Sequence, residues 1–263
     1  MNRLRDMAFD SSGQWLAVAG GSPGEQGDLA LVRWNDKSIQ SHIEFEHEWL
    51  TSVCFSPEGK YLAVGSGNSR IMVYQIRTDP YRLEQAFELE GHAGAIMDTL
   101  FDATGDWLVS TGSDRSVKIW NILEESLHRT FSHHTGVVSA VDLRPSGAEE
   151  NSPPFYVATA SEDQTVRIWQ PTIGRMVRIV RDHDTPLFSL VYHSSGNWLV
   201  SGGKDGIIRF IDANSDHILN TIEAHEDWIY SLAFSPDGEW LASGDWSGRI
   251  KFHQVSKNPA HEK

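Results

Sequence analysis

Along most of this chain large apolar residues alternate with small or polar ones at a spacing of two, in short runs cut by Gly, Pro, Asp and Ser. Residues 229–234 (IYSLAF) read as a half-buried strand, 235–238 (SPDG) as a turn, 240–243 as a second strand and 249–253 as a third. A fourth alternating run follows in earlier stretches, at 84–89, 128–131, 176–180 and 218–222. Helical spacing is absent. The pattern predicts an all-β chain of short antiparallel strands.

The strand phrase recurs. Residues 6–15 (DMAFDSSGQW), 52–61 (SVCFSPEGKY), 98–107 (DTLFDATGDW), 189–198 (SLVYHSSGNW) and 231–240 (SLAFSPDGEW) are versions of one another. A sixth version, 140–147 (AVDLRPSG), is interrupted by an insertion at 148–154 and resumes at Phe155. Anchors at Phe9, Phe55, Phe101, Leu143, Tyr192 and Phe234 lie 46, 46, 42, 49 and 42 residues apart. This period is that of a four-stranded sheet repeated round an axis, where each sheet hides its two apolar faces against its neighbours.

Gly91-His92, Asp114 and Lys118-Ile119-Trp120 are similar to the Gly-His and Trp-Asp landmarks of WD-repeat β-propellers, in particular those of bacterial multidomain proteins. The resemblance covers residues 4 to about 254. It implies an all-β propeller of about six four-stranded blades, or a seven-bladed ring of which part is missing. One domain is expected over 1–256, with a polar tail at 257–263. It also implies a hydrogen-bonded set inside each blade: His92, Ser110, Asp114 and Trp120 in the third copy, and His134, Thr159, Asp163 and Trp169 in the fourth. Other copies carry partial sets: His47, Asn68 and Tyr74 in the second; His183, Ser201, Asp205 and Ile211 in the fifth; His225, Ser243, Ser247 and His253 in the sixth. The first has Asp28 and Trp34 and no histidine.

Charge and composition narrow the function. With 22 basic against 36 acidic residues the net charge is −14, a field that repels phosphate backbones, so nucleic acid is not an expected partner. Apolar runs are too short to span a membrane as a helix, no export signal is visible, and a cytoplasmic location is expected. A single cysteine, Cys54, excludes an internal disulfide and a cysteine-rich zinc site. Histidines falling once per repeat point into separate blades and cannot converge on one metal, so no metal and no cofactor are expected. Nucleophile-elbow, phosphate-loop and His-Glu-x-x-His motifs are absent, and the Gly20-Gly21 stretch joins two strands instead of opening a helix.

Most tryptophans are accounted for by strand register. Trp49, Trp228 and Trp246 are not: the first two stand at loops entering an innermost strand, the third in a turn between second and third strands. The resemblance places both loop types on one rim, the usual partner face of such domains, with Arg3, Leu187 and Lys204 beside them. The expected function is a non-catalytic scaffold binding another protein or peptide at this rim. Two alternatives stand beside it. One is a regulatory or sensory domain of a larger bacterial protein. The other is a propeller enzyme using channel-lining residues such as Asp6 and Asp98.

Overall fold

The computed structural model describes residues 3–78, 81–145 and 155–256. The 148–154 insertion and the 257–263 tail lie outside them. Twenty-three antiparallel strands form six sheets among the described residues. Blade 1 is β1 (Leu4–Phe9), β2 (Trp15–Gly21), β3 (Gly27–Arg33) and β4 (Ser38–Phe45). Blade 2 is β5 (Leu50–Phe55), β6 (Tyr61–Ser66), β7 (Arg70–Thr78) and β8 (Tyr81–Glu90). Blade 3 is β9 (Ile96–Phe101), β10 (Trp107–Gly112), β11 (Val117–Asn121) and β12 (Ser126–Phe131). Blade 4 is β13 (Val138–Leu143), β14 (Val157–Ser161), β15 (Val166–Gln170) and β16 (Arg175–Val180). Blade 5 is β17 (Leu187–Tyr192), β18 (Trp198–Gly203), β19 (Ile207–Asp212) and β20 (Ile218–Glu223). Blade 6 has three described strands, β21 (Ile229–Phe234), β22 (Trp240–Asp245) and β23 (Ile250–Gln254).

These are the blades of an all-β propeller, and they fall into two compact units, Met1–His133 and His134–Lys263. Inside each unit alternation does what the sequence predicts: small residues of one blade receive large residues of the next. Ala17, Ala19, Leu29 and Leu31 of blade 1 pack on Leu50, Leu62 and Met72 of blade 2. Ala158, Ala160 and Ile168 of blade 4 pack on Leu190, Leu199 and Ile211 of blade 5. Side chains also join innermost strands across blades. Asp6 Oδ2 accepts the Val53 N–H at 2.8 Å, and Asp142 Oδ2 accepts the Tyr192 N–H at 2.6 Å. Met7 and Phe9 are exposed on blade 1, and Ile250 and Phe252 on blade 6.

The hydrogen-bonded sets follow one chain of donors. In blade 4, Trp169 Nε1–H donates to Thr159 Oγ1 (2.9 Å), Thr159 Oγ1–H to His134 Nε2 (2.9 Å), and His134 Nδ1–H to Asp163 (2.8 Å). Blade 3 repeats it through Trp120 to Ser110 (2.8 Å), Ser110 to His92 (2.8 Å) and His92 to Asp114 (2.9 Å). Blade 6 corrects the sequence reading. Its carboxylate is Asp245, at the end of β22, which accepts from His225 Nδ1 at 2.8 Å, while Ser247 merely donates to Asp245. His253 fills the tryptophan's place, 3.0 Å from Ser243 Oγ.

Blade 2 corrects another. His47 lies eight residues before Phe55, whereas His92, His134, His183 and His225 each lie nine before their anchors. That one-residue slip leaves His47 exposed with φ 59°, and buried Glu48, paired to Arg70 at 2.7 Å, takes over the interior. In blade 1, Asp28 recruits His42 from β4 at 2.9 Å. Trp34, lying past the end of β3, is left half-exposed against Phe9.

Blade 5 has an incomplete set. Ser201 meets His183 Nε2 at 2.9 Å, but Asp205 has turned to Arg209 (2.7 Å) and His183 Nδ1 is buried without a partner. Burial, with the Arg209 charge behind it, pushes this imidazole down to about 4. The unfolded chain takes up that proton near the ordinary histidine value of about 6.5. The neutral histidine therefore contributes its full stability above about pH 6.5, and the contribution is lost as pH falls through the folded value. We expect stability to fall by about 3 kcal/mol from this site across this window, and the thermal midpoint with it, and His183→Gln to flatten the drop. Parallel pH profiles for the two proteins would show that His183 is not responsible.

Candidate functional site

Each innermost strand begins the same way. The residue six before the anchor offers its backbone oxygen to an N–H just past the second strand. Trp49 O accepts from Gly67 N at 2.9 Å, Pro186 O from Lys204 N at 2.9 Å and Trp228 O from Trp246 N at 2.9 Å, and Arg3 O accepts from Gly21 N at 2.8 Å. This hydrogen bond puts the two loop types of a blade side by side. Two residues on, each innermost strand carries a β-bulge. Register shifts leave Arg5, Thr51, Met97, Ser139, Phe188 and Tyr230 as the extra residues, all four before their anchors. A bulge re-aims its side chain, here at the mouth of the innermost strand.

In blades 5 and 6 these positions are aromatic and come together. Phe188 stacks on Tyr230 (ring centroids 4.7 Å, 5° between planes) and on Trp228 (5.6 Å). Tyr230 in turn lies 5.4 Å from Trp246. Lys204 Nζ stands 5.3 Å from the Trp228 ring. Trp228, Tyr230 and Trp246 are 38, 41 and 62% exposed, so three of the four rings form an uncovered aromatic shelf. Burial, reinforced by Glu162 and Asp227, raises the Tyr230 phenol. The hydroxyl is thus neutral and able to donate at any physiological pH.

The remaining rim candidates stand elsewhere. Trp49 belongs to the first compact unit, half-buried, its ring lying so flat on Gly67 that an added Cβ there would be 2.1 Å away. Arg3 belongs to the same unit and is exposed. Leu187 is a correction: it is fully buried, because it stands where the other copies have Leu50, Ile96, Val138 and Ile229, and the rim position is its neighbour Pro186. The sequence reading missed Phe188 and Tyr230. Their common offset from the anchors was legible, but a bulge is recognised only from pairing.

Groups with reactive potential are occupied structurally. Asp6 accepts backbone N–H groups from Val53 and Met7, and Asp98 accepts from Thr99 N. Burial pushes the Cys54 thiol up to about 12, so it holds its proton at neutral pH. Asp28, His42 and Glu44 bring three potential metal-ligating atoms within 4.8 Å of one another, although the Asp28–His42 hydrogen bond already accounts for two of them. No helix in the described residues is long and apolar enough to cross a membrane.

The WD domain, G-beta repeat pattern matches residues 37–75, 83–121, 125–170, 174–212 and 217–254, together more than half of the chain. Each match begins on the last strand of one blade and ends on the third strand of the next. Among curated proteins, the chain is 25% identical to Target of rapamycin complex subunit wat1 of Schizosaccharomyces pombe over 62% of its own length and 49% of that protein. It is 26% identical to COMPASS component SWD3 of Saccharomyces cerevisiae over 76% of its length and 61% of that protein. To Nuclear distribution protein PAC1 of Coccidioides posadasii it is 32% identical over 68% of its length and 37% of that protein. It therefore spans about two fifths to three fifths of the relatives it matches here. Five matched repeats, three of them on blades where the His-to-Asp hydrogen bond forms, make this chain a member of the WD-repeat (G-beta repeat) family.

Proposed function

We propose that this chain is a non-catalytic interaction module that holds another protein on the aromatic shelf of blades 5 and 6. The observation carrying this reading is the stacking of Phe188 on Tyr230 and Trp228, with Trp246 against Tyr230, on a hydrogen-bonded loop pair. Large rings left this exposed to water are the usual centres of binding energy. Two of the relatives, by their names, are a subunit and a component of protein complexes. The net charge of −14 favours a protein over a nucleic acid as partner. A buried thiol as the one cysteine suits the reducing cytoplasm, which belongs to the same proposal.

Substituting Trp228→Ala together with Trp246→Ala should reduce capture of the bound partner at least thirty-fold, at about 1 kcal/mol or more for each anchor. The melting temperature should fall by no more than a few degrees, since neither ring lies in the buried core. Affinity purification with both proteins, read by mass spectrometry, checks this. Unchanged capture by the double variant would place the binding surface elsewhere on the chain.

A further inference from the structure

A groove lies between the outer strand of blade 4 and a turn of blade 5, within one compact unit. In β16 the pairing runs Gln170↔Arg175, Trp169↔Met176 and Ile168↔Arg178, leaving Val177 as an extra residue. In a regular strand residues three apart face opposite sides. The bulge cancels that alternation and brings Arg175 and Arg178 to one face, the face on which Ile168 packs against blade 5. Opposite them is the blade 5 turn carrying Asn214, Ser215 and Asp216, and the groove between has a volume of about 570 Å³.

Its charges are uncommitted. Neither Arg175 nor Arg178 makes a side-chain hydrogen bond or ion pair among the described residues, in a chain where acids outnumber bases 36 to 22. Arg144 approaches from blade 4, donating to Asn214 Oδ1 at 2.9 Å. Tyr192 of blade 5 is only 4% exposed, and its hydroxyl has no hydrogen-bond partner among the described residues. Burial raises that phenol; the Arg144 charge opposes the rise, Asp142 adds to it and Arg178 opposes it. Two neighbouring guanidiniums that pair with no carboxylate among the described residues offer an oxyanion two open forks.

From this juxtaposition we infer that the groove binds the phosphate of a phosphorylated peptide. Guanidinium forks match phosphate oxygens in pairs. An extended polyanion, whether a membrane surface or a nucleic acid, meets the repulsion of the whole −14 chain. A single phosphate on a peptide needs only the local cations. Val177 and Ile179 on the groove wall suit apolar residues flanking the phosphorylated one. Asp216 lines the same groove and pairs with neither arginine, so it weakens the site and sets a preference for a well-placed dianion.

The experiment is a titration of the full chain with N-acetyl-phosphoserine amide, its unphosphorylated counterpart, inorganic phosphate and anionic phospholipid vesicles. It is read by calorimetry and by the arginine Nε–H resonances. The phosphoserine compound should saturate and shift the Arg175 and Arg178 signals, and the serine compound should not. Arg175→Gln with Arg178→Gln should weaken binding ten-fold or more at an unchanged melting temperature, and Asp216→Asn should tighten it several-fold. Equal responses to the two serine compounds, or full binding by the double arginine variant, would overturn the proposal. Vesicle binding without phosphoserine binding, or phosphate bound more tightly than phosphoserine, would overturn the peptide assignment. The Trp228→Ala, Trp246→Ala protein should bind phosphoserine normally, so failure at the aromatic shelf and failure at this groove are read separately.

Discussion

Asp163→Ala should lower the melting temperature by roughly 6–12 °C, as about 3 kcal/mol does in a chain of this size at 2–4 °C per kcal/mol. The carboxylate accepts from His134 Nδ1 (2.8 Å), the Thr135 N–H (3.0 Å), and the Thr165 hydroxyl (2.6 Å) and N–H (3.1 Å), with Arg167 3.5 Å away. Removing it strands the buried His134 Nδ1–H and the part-buried Thr165 donors at once, each costing about 1 kcal/mol or more, and the Trp169-to-His134 relay loses its terminus. Burial works to raise this carboxyl, but the bonds from His134, Thr165 and Thr135 outweigh it and hold it well below the ordinary carboxylate range. Its stabilisation is thus present above about pH 4 and lost as pH falls through the folded value. The gap between wild type and variant should narrow in acid. Thermal melts at pH 7.5 and pH 3.5 check both points, and coincident curves at pH 7.5 would deny the network any part in stability.

Gly206→Ala should cost about 2–4 kcal/mol while Gly248→Ala, at the same turn of the next blade, costs about 1 kcal/mol. Both glycines are left-handed, with φ 73° and 84°. Arg115 and Gln164 hold the equivalent position in blades 3 and 4 at φ 67°, so backbone conformation alone does not demand glycine there. Space does. A Cβ on Gly206 would lie 2.0 Å from the His225 carbonyl oxygen, whereas one on Gly248 meets nothing within 4 Å. Gly206 O also receives the N–H groups of Ala224 (3.1 Å) and His225 (2.9 Å), seating the loop that leads into Trp228. The alanine variant should therefore lose partner capture as well as stability, and melting curves with a capture assay on the two variants measure both. Equal costs at the two positions would mean that the contact with His225 yields freely.

The repeat and the strands were legible because burial on two faces writes itself into alternation, and because six copies must keep one spacing to stack. The same regularity made the blade 3 and blade 4 sets readable from their landmarks. Legibility ended where a contact depends on one residue of register. His47 matches the landmark type but stands one place too late, and Leu187 one place too far into its strand. Asp245 replaces the carboxylate sought at Ser247, because a side chain can reach back across a turn that spacing treats as fixed.

From its order of residues alone this chain determines an all-β propeller of stacked four-stranded units, since period, alternation and turn residues are local properties repeated often enough to be unambiguous. Tertiary structure alone decides which side chains meet. Bulges at Phe188, Tyr230 and Val177 change the facing of a strand without changing its pattern. Only packing of blade on blade joins Phe188 to Tyr230, or sets Arg178 opposite Ser215. Alternation records whether a residue is covered. The identity of what covers it is fixed by pairing energies between segments some forty residues apart, and no single repeat contains that information.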